Sequence, residues 1–204
     1  MLQLIFSKSA RIVGTIQSGD RIVGRLHIEY LGSIRFKDTN AEHIKFDGHI
    51  KVAKGKENYM SRNAFLILSS TGEPFYYDSD GTGGRVVLEN LGDRILITLP
   101  TRQRFVRYAE HLDFIYEQFF PIQEWLGIAL DSLKSYTSSK HELRFFSVTL
   151  LCILPYMYSI KDSNPLSISN NLGRTILVDK NFLPLRIDMK ETTIASSISF
   201  NSNE

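Results

Sequence analysis

The stretch from Asp78 to Glu89, Asp-Ser-Asp-Gly-Thr-Gly-Gly-Arg-Val-Val-Leu-Glu, carries oxygen-bearing side chains at the spacing of a twelve-residue calcium loop. Asp78 and Asp80 stand first and third, Thr82 fifth, Gly83 sixth and Glu89 last. A hard cation needs oxygen ligands in that order around a sharp turn. Arg85, however, takes the eighth place, which is usually aliphatic. The flanks Glu73–Tyr77 and Val86–Glu89 read as strands, where an EF-hand needs helices. The stretch is therefore read as a glycine-rich hairpin whose aspartates cap the turn, and the calcium loop of Asp78, Asp80, Thr82 and Glu89 is the weaker alternative. The same glycines could cradle a phosphate, but no Gly-Lys-Ser/Thr and no helix start follows them.

The five histidines, His27, His43, His49, His111 and His141, are not paired at a metal-ligand spacing with one another or with Cys152. His27 and His43 fall on the polar faces of expected strands. Glu110, His111 and Asp113 read as a solvated helix face. Cys152 lies in an apolar run with no basic neighbour, where a buried, inert thiol is the expectation. No cofactor is expected.

Basic residues gather in two places. Arg102, Arg104 and Arg107 stand where a helix is expected to begin. Lys54, Lys56 and Arg62, with Lys51 and Tyr59 nearby, surround the longest polar connection, 54–62. Cations at a helix N-terminus oppose the helix dipole, which a bound anion would relieve. These six residues, Arg102, Arg104, Arg107, Lys54, Lys56 and Arg62, form the candidate site for a partner or an anion.

The chain that must position them has 204 residues, 43% hydrophobic and 23% charged, which suits one domain of above-average size. A net charge of +2 gives no polycationic footprint, so nucleic acid is not an expected partner. One cysteine excludes an internal disulfide framework. The first eight residues lack the basic start and long apolar core of a signal peptide, so a reducing cytoplasm is expected.

From residue 1 to about 100 the apolar period is near two. Ile22, Leu26 and Ile28 share one face against Arg25, His27 and Glu29, and Ile44 and Phe46 alternate with His43, Lys45 and Asp47. About eight or nine short strands are predicted, closing as an antiparallel barrel or sandwich. After Pro100 the period turns helical. Phe105, Tyr108, Leu112, Ile115 and Phe119 predict a first helix capped by Thr101. Ile122, Trp125, Leu126, Ala129 and Leu133 predict a second, and Glu142 to about Ile160 a third, apolar nearly all round. Short strands are predicted at Thr175–Val178 and Leu185–Ile187. The tail 191–204 is predicted to be unordered.

The expected class is thus α+β: a β meander over 1–100 and a helical part over 101–190 packed on it. Phe145–Ile160 has no charge, but as a helix it would span only about 24 Å against roughly 30 Å of hydrocarbon. It is read as a core helix, and no transmembrane segment is expected. In layout alone, a β meander followed by an apolar helix resembles the tubby-like barrel family, which implies a helix threading a barrel and carries no site residues across.

Every catalytic constellation sought is missing, so the first reading is a non-catalytic protein-binding or accessory module acting through a macromolecular surface. Two alternatives stand beside it. One is a barrel binding an acidic lipid or phosphate ligand; the other is an enzyme whose site only the fold assembles.

Overall fold

A computed structural model describes residues 2–6, 11–51, 59–108, 111–134, 141–191 and 194–201. A single helical turn, α1 (Leu2–Ile5), precedes eight strands: β1 (Arg11–Ser18), β2 (Arg21–Phe36), β3 (Thr39–Lys51), β4 (Tyr59–Ser69), β5 (Pro74–Gly81), β6 (Val86–Asn90), β7 (Arg94–Thr98) and β8 (Arg104–Tyr108). The short β9 (Phe114–Tyr116) then leads into α2 (Ile122–Lys134). Six more strands follow: β10 (His141–Ser147), β11 (Cys152–Lys161), β12 (Leu166–Asn170), β13 (Arg174–Val178), β14 (Pro184–Glu191) and β15 (Ile194–Asn201).

All fifteen strands form one sheet in the order β8-β7-β6-β5-β4-β3-β2-β1-β15-β14-β13-β12-β11-β10-β9. Every neighbouring pair is antiparallel except β9 and β10, which run parallel. β1 and β15 lie side by side at the sheet's centre, in register from Val13 opposite Asn201 to Ser18 opposite Ser196. β8 and β9, neighbours in the chain, are the sheet's two outer strands.

The sheet coils around α2. Residues 122–130 of the helix are all buried, and their partners come from both halves of the sheet. Gln123 meets Tyr77 of β5, Glu124 meets Tyr156 of β11 and Arg174 of β13, and Asp131 meets Tyr158 of β11. A helix shielded on every side must have each polar group answered from the wall, since an unpaired one costs about 1–3 kcal/mol. Gly127 brings the helix onto β9: a Cβ there would lie 2.8 Å from the Phe114 ring. The end of the barrel holding the turn between β13 and β14 is filled by α1. Leu2, Ile5 and Phe6 are buried there. Phe6 stacks on Tyr30 and meets Trp125 edge-on, and the Trp125 indole N–H donates to Phe182 O at 2.5 Å.

The expected α+β class is therefore corrected. Strand accounts for 65% of the described residues and helix for 9%, and the half after residue 100 is not helical. The predicted first helix is β8 and β9. The predicted third, Glu142–Ile160, is the β10–β11 hairpin, in which buried Tyr156 and Tyr158 alternate with exposed Pro155 and Met157. A short apolar run does not declare its period, and here the turn over 148–151, with Leu151 at φ 54°, breaks it into two strands. Of the three predicted helices only the second exists, and it is this one that the sheet encloses. The stretch predicted to be an unordered tail carries β15, the partner of both β1 and β14.

Candidate functional site

Because the meander is antiparallel, the turns after β1, β5, β7, β10 and β12 gather at one end of the barrel, opposite α1. The segment 117–121, between β9 and α2, crosses that end. Gly48 of β3 makes room for it: a Cβ would stand 2.8 Å from the Phe119 ring and 3.1 Å from Phe120.

Two buried ion pairs hold this segment and the first turn of α2 to opposite walls. Arg62 of β4 turns inward. Its Nε donates to Ser79 Oγ at 2.7 Å, its Nη1 to Thr82 O at 2.9 Å, and the guanidinium pairs with Glu117. Glu117 also accepts the Tyr77 hydroxyl, and that of Ser79 at 2.8 Å. Gln123 Oε1 accepts the Glu117 N–H at 2.7 Å. On the other wall Glu124 pairs with Arg174 and accepts Asn170 Nδ2 at 2.8 Å and Tyr156 OH at 3.2 Å. Arg174 lies 5.3 Å from the centre of the Tyr116 ring. Burial, followed by the Glu117 charge and hydrogen bond, pushes the Tyr77 phenol well above its ordinary value, and burial raises that of Tyr156. Both phenols stay protonated and serve as donors to the carboxylates.

Beside segment 117–121 lies a cavity of about 430 Å³. Its walls include Ile16, Val23, Ile50, Met60, Phe119 and Ile198, with the Arg62–Glu117 pair set among them. A second cavity of about 290 Å³, walled by Tyr116, Leu150, Leu172 and Arg174, shares Gln118, Thr149 and Met189 with the first. The lining is mostly apolar. Arg62 is matched by Glu117 and Arg174 by Glu124, so the pairs add little net charge.

The sequence-predicted residues are scattered rather than assembled. Arg62 is in the barrel's interior. Arg102, Arg104 and Arg107 are exposed in the turn after β7 and on β8, at no helix terminus. Arg107 Nε donates to Leu151 O at 3.1 Å, next to the residues Thr149 and Leu150 that line the cavities. Lys54 and Lys56 lie outside the described residues. Asp78 and Glu89 are on the β5–β6 hairpin. Asp78 accepts Arg85 Nε at 2.8 Å and Nη2 at 2.5 Å, and Glu89 pairs with Lys37. Arg85 holds the Asp78 carboxyl below its ordinary value. Asp80 Oδ1 accepts the Gly81 N–H at 2.8 Å, and the Thr82 hydroxyl accepts the Ser61 N–H at 3.1 Å. Among the described residues no group of three or more His, Cys, Asp or Glu is placed to hold a metal ion. Glu117, Glu124 and Arg174 were not singled out in the sequence, where nothing marks charges that will be paired from distant strands.

No protein-family model matches the chain, and no curated protein matches it. Among solved structures it is similar in fold to a β-barrel-like protein of the domain of unknown function DUF1849 from Brucella abortus. The TM-score is 0.60 over 94% of this chain and 95% of that one, at 8% identity. A DUF1089 family protein from Pseudomonas aeruginosa aligns with a TM-score of 0.48 at 13% identity, over 76% of this chain and 88% of that one. The fold is thus β-barrel-like. Among the described residues no helix is long and apolar enough to cross a membrane.

Proposed function

We propose that the chain is a non-catalytic binding protein whose joined mouth cavities take a flexible apolar chain, the alkyl tail of an amphiphile. The observation that carries this is the cavity of about 430 Å³ at the open end of a barrel whose other end is filled by α1. Its size falls within the roughly 300–1,000 Å³ of small-molecule sites, and its apolar walls with a few fixed polar groups have their usual character. Met60 and Met189 suit a ligand without rigid shape, because thioether side chains repack easily. Burying a dozen methylenes at about 0.8 kcal/mol each supplies on the order of 10 kcal/mol, and association costs of at least about 4 kcal/mol leave binding at about tens of micromolar. The carboxylates nearby are saturated with donors, and the role this supports for them is positioning α2 rather than proton transfer. Arg107, bonded to the turn beside the cavities, leaves a cation near the mouth for an anionic head group.

The test is titration with dodecanoate below its micelle concentration, followed by native mass spectrometry and by calorimetry. Binding at about tens of micromolar is expected, weakened at least tenfold by Val23→Trp, which fills the cavity from β2, with unchanged circular dichroism. Binding that Val23→Trp leaves intact, or no binding, would overturn the reading. Flotation with phosphatidylglycerol vesicles separates the sources of the chain: extraction of a lipid identifies a membrane amphiphile, and capture of dodecanoate alone identifies a free long-chain acid.

A further inference from the structure

We infer that β8 is a docking strand for an extended acidic segment of a partner protein, which adds to the sheet along β8's free edge. This site shares Arg107 with the rim of the mouth but none of the lining of the mouth cavities.

β8 ends the sheet, and among the described residues it has a strand on one side only. Its backbone polarity follows from the ladder. Gln103 O accepts the Leu99 N–H at 3.0 Å, so Gln103 faces β7. An antiparallel ladder alternates, so Phe105 and Arg107 also face β7, while the N–H and C=O groups of Arg104, Val106 and Tyr108 turn to the open side. All five residues of the strand are exposed. Phe105 is 36%, Val106 47% and Tyr108 81% accessible, which puts three exposed apolar side chains on one five-residue strand. Edge strands are usually blunted by charged side chains, proline, a bulge or cover, and on β8 only the charges of Arg104 and Arg107 serve. The register of β8 on β7 is regular, and Arg104-Phe105-Val106-Arg107-Tyr108 contains no proline.

A groove of about 640 Å³ runs beside this edge, with Asp93 and Tyr108 on one wall and Glu142, Arg144, Ile153 and Pro155 of the β10–β11 hairpin on another, so its acceptance of acidic residues rests on the arginines of β8 rather than on the groove's far wall. Where a further strand would bring backbone bonds, the Arg107 side chain reaches across to Leu151 O.

Charge selects the occupant. Arg102, Arg104 and Arg107 have no carboxylate within ion-pair distance among the described residues, whereas Arg62, Arg85, Arg94, Arg174 and Arg186 each have one. A second copy in the fully overlapped two-fold register, centred on Val106, would set Arg104 opposite Tyr108 and Arg107 opposite Phe105, which leaves the arginines without a carboxylate. An incoming strand with acidic residues opposite Arg104 and Arg107 and β-branched residues opposite Phe105, Val106 and Tyr108 satisfies the edge. Main-chain bonds then give affinity, and the alternating side chains give specificity.

The experiment titrates the full chain with a fluorescent peptide whose core is Val-Glu-Val-Val-Glu, the antiparallel complement of β8, and with the same peptide carrying Lys for Glu. Saturable binding of the acidic peptide alone is expected, weakening as salt rises. Val106→Pro removes an outward N–H that β7 does not use, a change edge strands tolerate. It is expected to cut affinity at least tenfold at unchanged melting temperature. Arg104→Glu with Arg107→Glu is expected to do the same and to admit the Lys peptide, which keeps the test sharp if the proline variant misfolds. No binding, equal binding of both peptides, or indifference to these changes would overturn the proposal. So would a dimer in sedimentation that Val106→Pro dissolves, which would assign the edge to a second copy.

Discussion

Glu124 and Arg174 are paired inside the barrel, and the same guanidinium lies over the ring of Tyr116. The pair ties the first turn of α2 to β13, and each member is held by more than the other's charge. Truncating one member strands the other, which typically costs about 3–5 kcal/mol, close to the whole stability of a marginal domain. Arg174→Met is therefore expected to lower the urea midpoint sharply. Adding Glu124→Gln, which keeps an oxygen acceptor for the Tyr156 hydroxyl and the Asn170 amide without the charge, is expected to restore at least half of the loss. Equal midpoints for the single and double variants would show that the pair is not what is lost.

At Gly127 the backbone of α2 packs directly on the Phe114 ring of β9. Alanine gains roughly 1 kcal/mol over glycine in a helix. At this site its Cβ would enter the Phe114 ring, at 2.8 to 2.9 Å from the ring atoms. Phe114 is itself stacked on Phe145 and edge-on to Tyr156, so the ring has little room to retreat. Overpacking of this kind typically costs about 1–3 kcal/mol. Gly127→Ala is expected to be net destabilising in chemical denaturation, opposite in sign to the propensity. A stabilised variant would mean that the helix shifts freely on the sheet.

Two histidines link stability to pH. Burial, then the Arg11 charge, lowers the pKa of His27, and burial lowers that of His43. Arg11 Nη2 donates to His27 Nδ1 at 2.6 Å, a bond that requires the neutral ring. The unfolded chain, with histidines near 6.5, binds protons first as pH falls. The contribution is therefore complete above about pH 6.5 and is lost as pH drops from there through the folded values. Melting temperature is expected to fall between pH 7.5 and 5, and to fall less in a His27→Gln/His43→Gln double variant. An identical fall in both proteins would assign the effect to other groups.

The Asp78–Glu89 hairpin is expected not to take calcium at micromolar concentration. Asp78 is engaged by Arg85 through both oxygens and Glu89 by Lys37, so a cation would have to displace two arginine bonds and a lysine. Calorimetry with calcium decides it, and micromolar affinity abolished by Glu89→Gln would restore the calcium-loop reading.

The first half of the fold was legible because its strands have one wet face. Leu26, Ile28, Ile44 and Phe46 are buried where the alternation puts them. In the second half that contrast fails in two ways. β8 is exposed on both faces, so the spacing of Phe105 and Tyr108 carried no burial information and matched a helix by coincidence. Phe145, Phe146 and Ser147 are all buried, and a strand covered on both faces loses its period of two. A usable signal was the alternation from Pro155 to Tyr158, together with the aromatic and β-branched content of the run. The helix that does exist was readable because Ile122, Trp125, Leu126 and Ala129 repeat at helical spacing. The site was not readable, because Arg62 meets Glu117 and Arg174 meets Glu124 only through the coiling of the sheet.

The pairing of β1 with β15 sets an order of events during synthesis. The strand that completes the middle of the sheet is the last of the fifteen to leave the ribosome. At about 5–20 residues per second, the open flank of β1 waits on the order of ten to forty seconds for it. Through that interval the nascent chain shows Val13 to Ser18 as an unsatisfied edge next to a finished meander, a template for pairing with a neighbouring nascent chain. Contacts this distant in the chain also make for slow closure once the last strand arrives. Yield from a crowded polysome is thus governed by how well that edge is shielded before β15 is made.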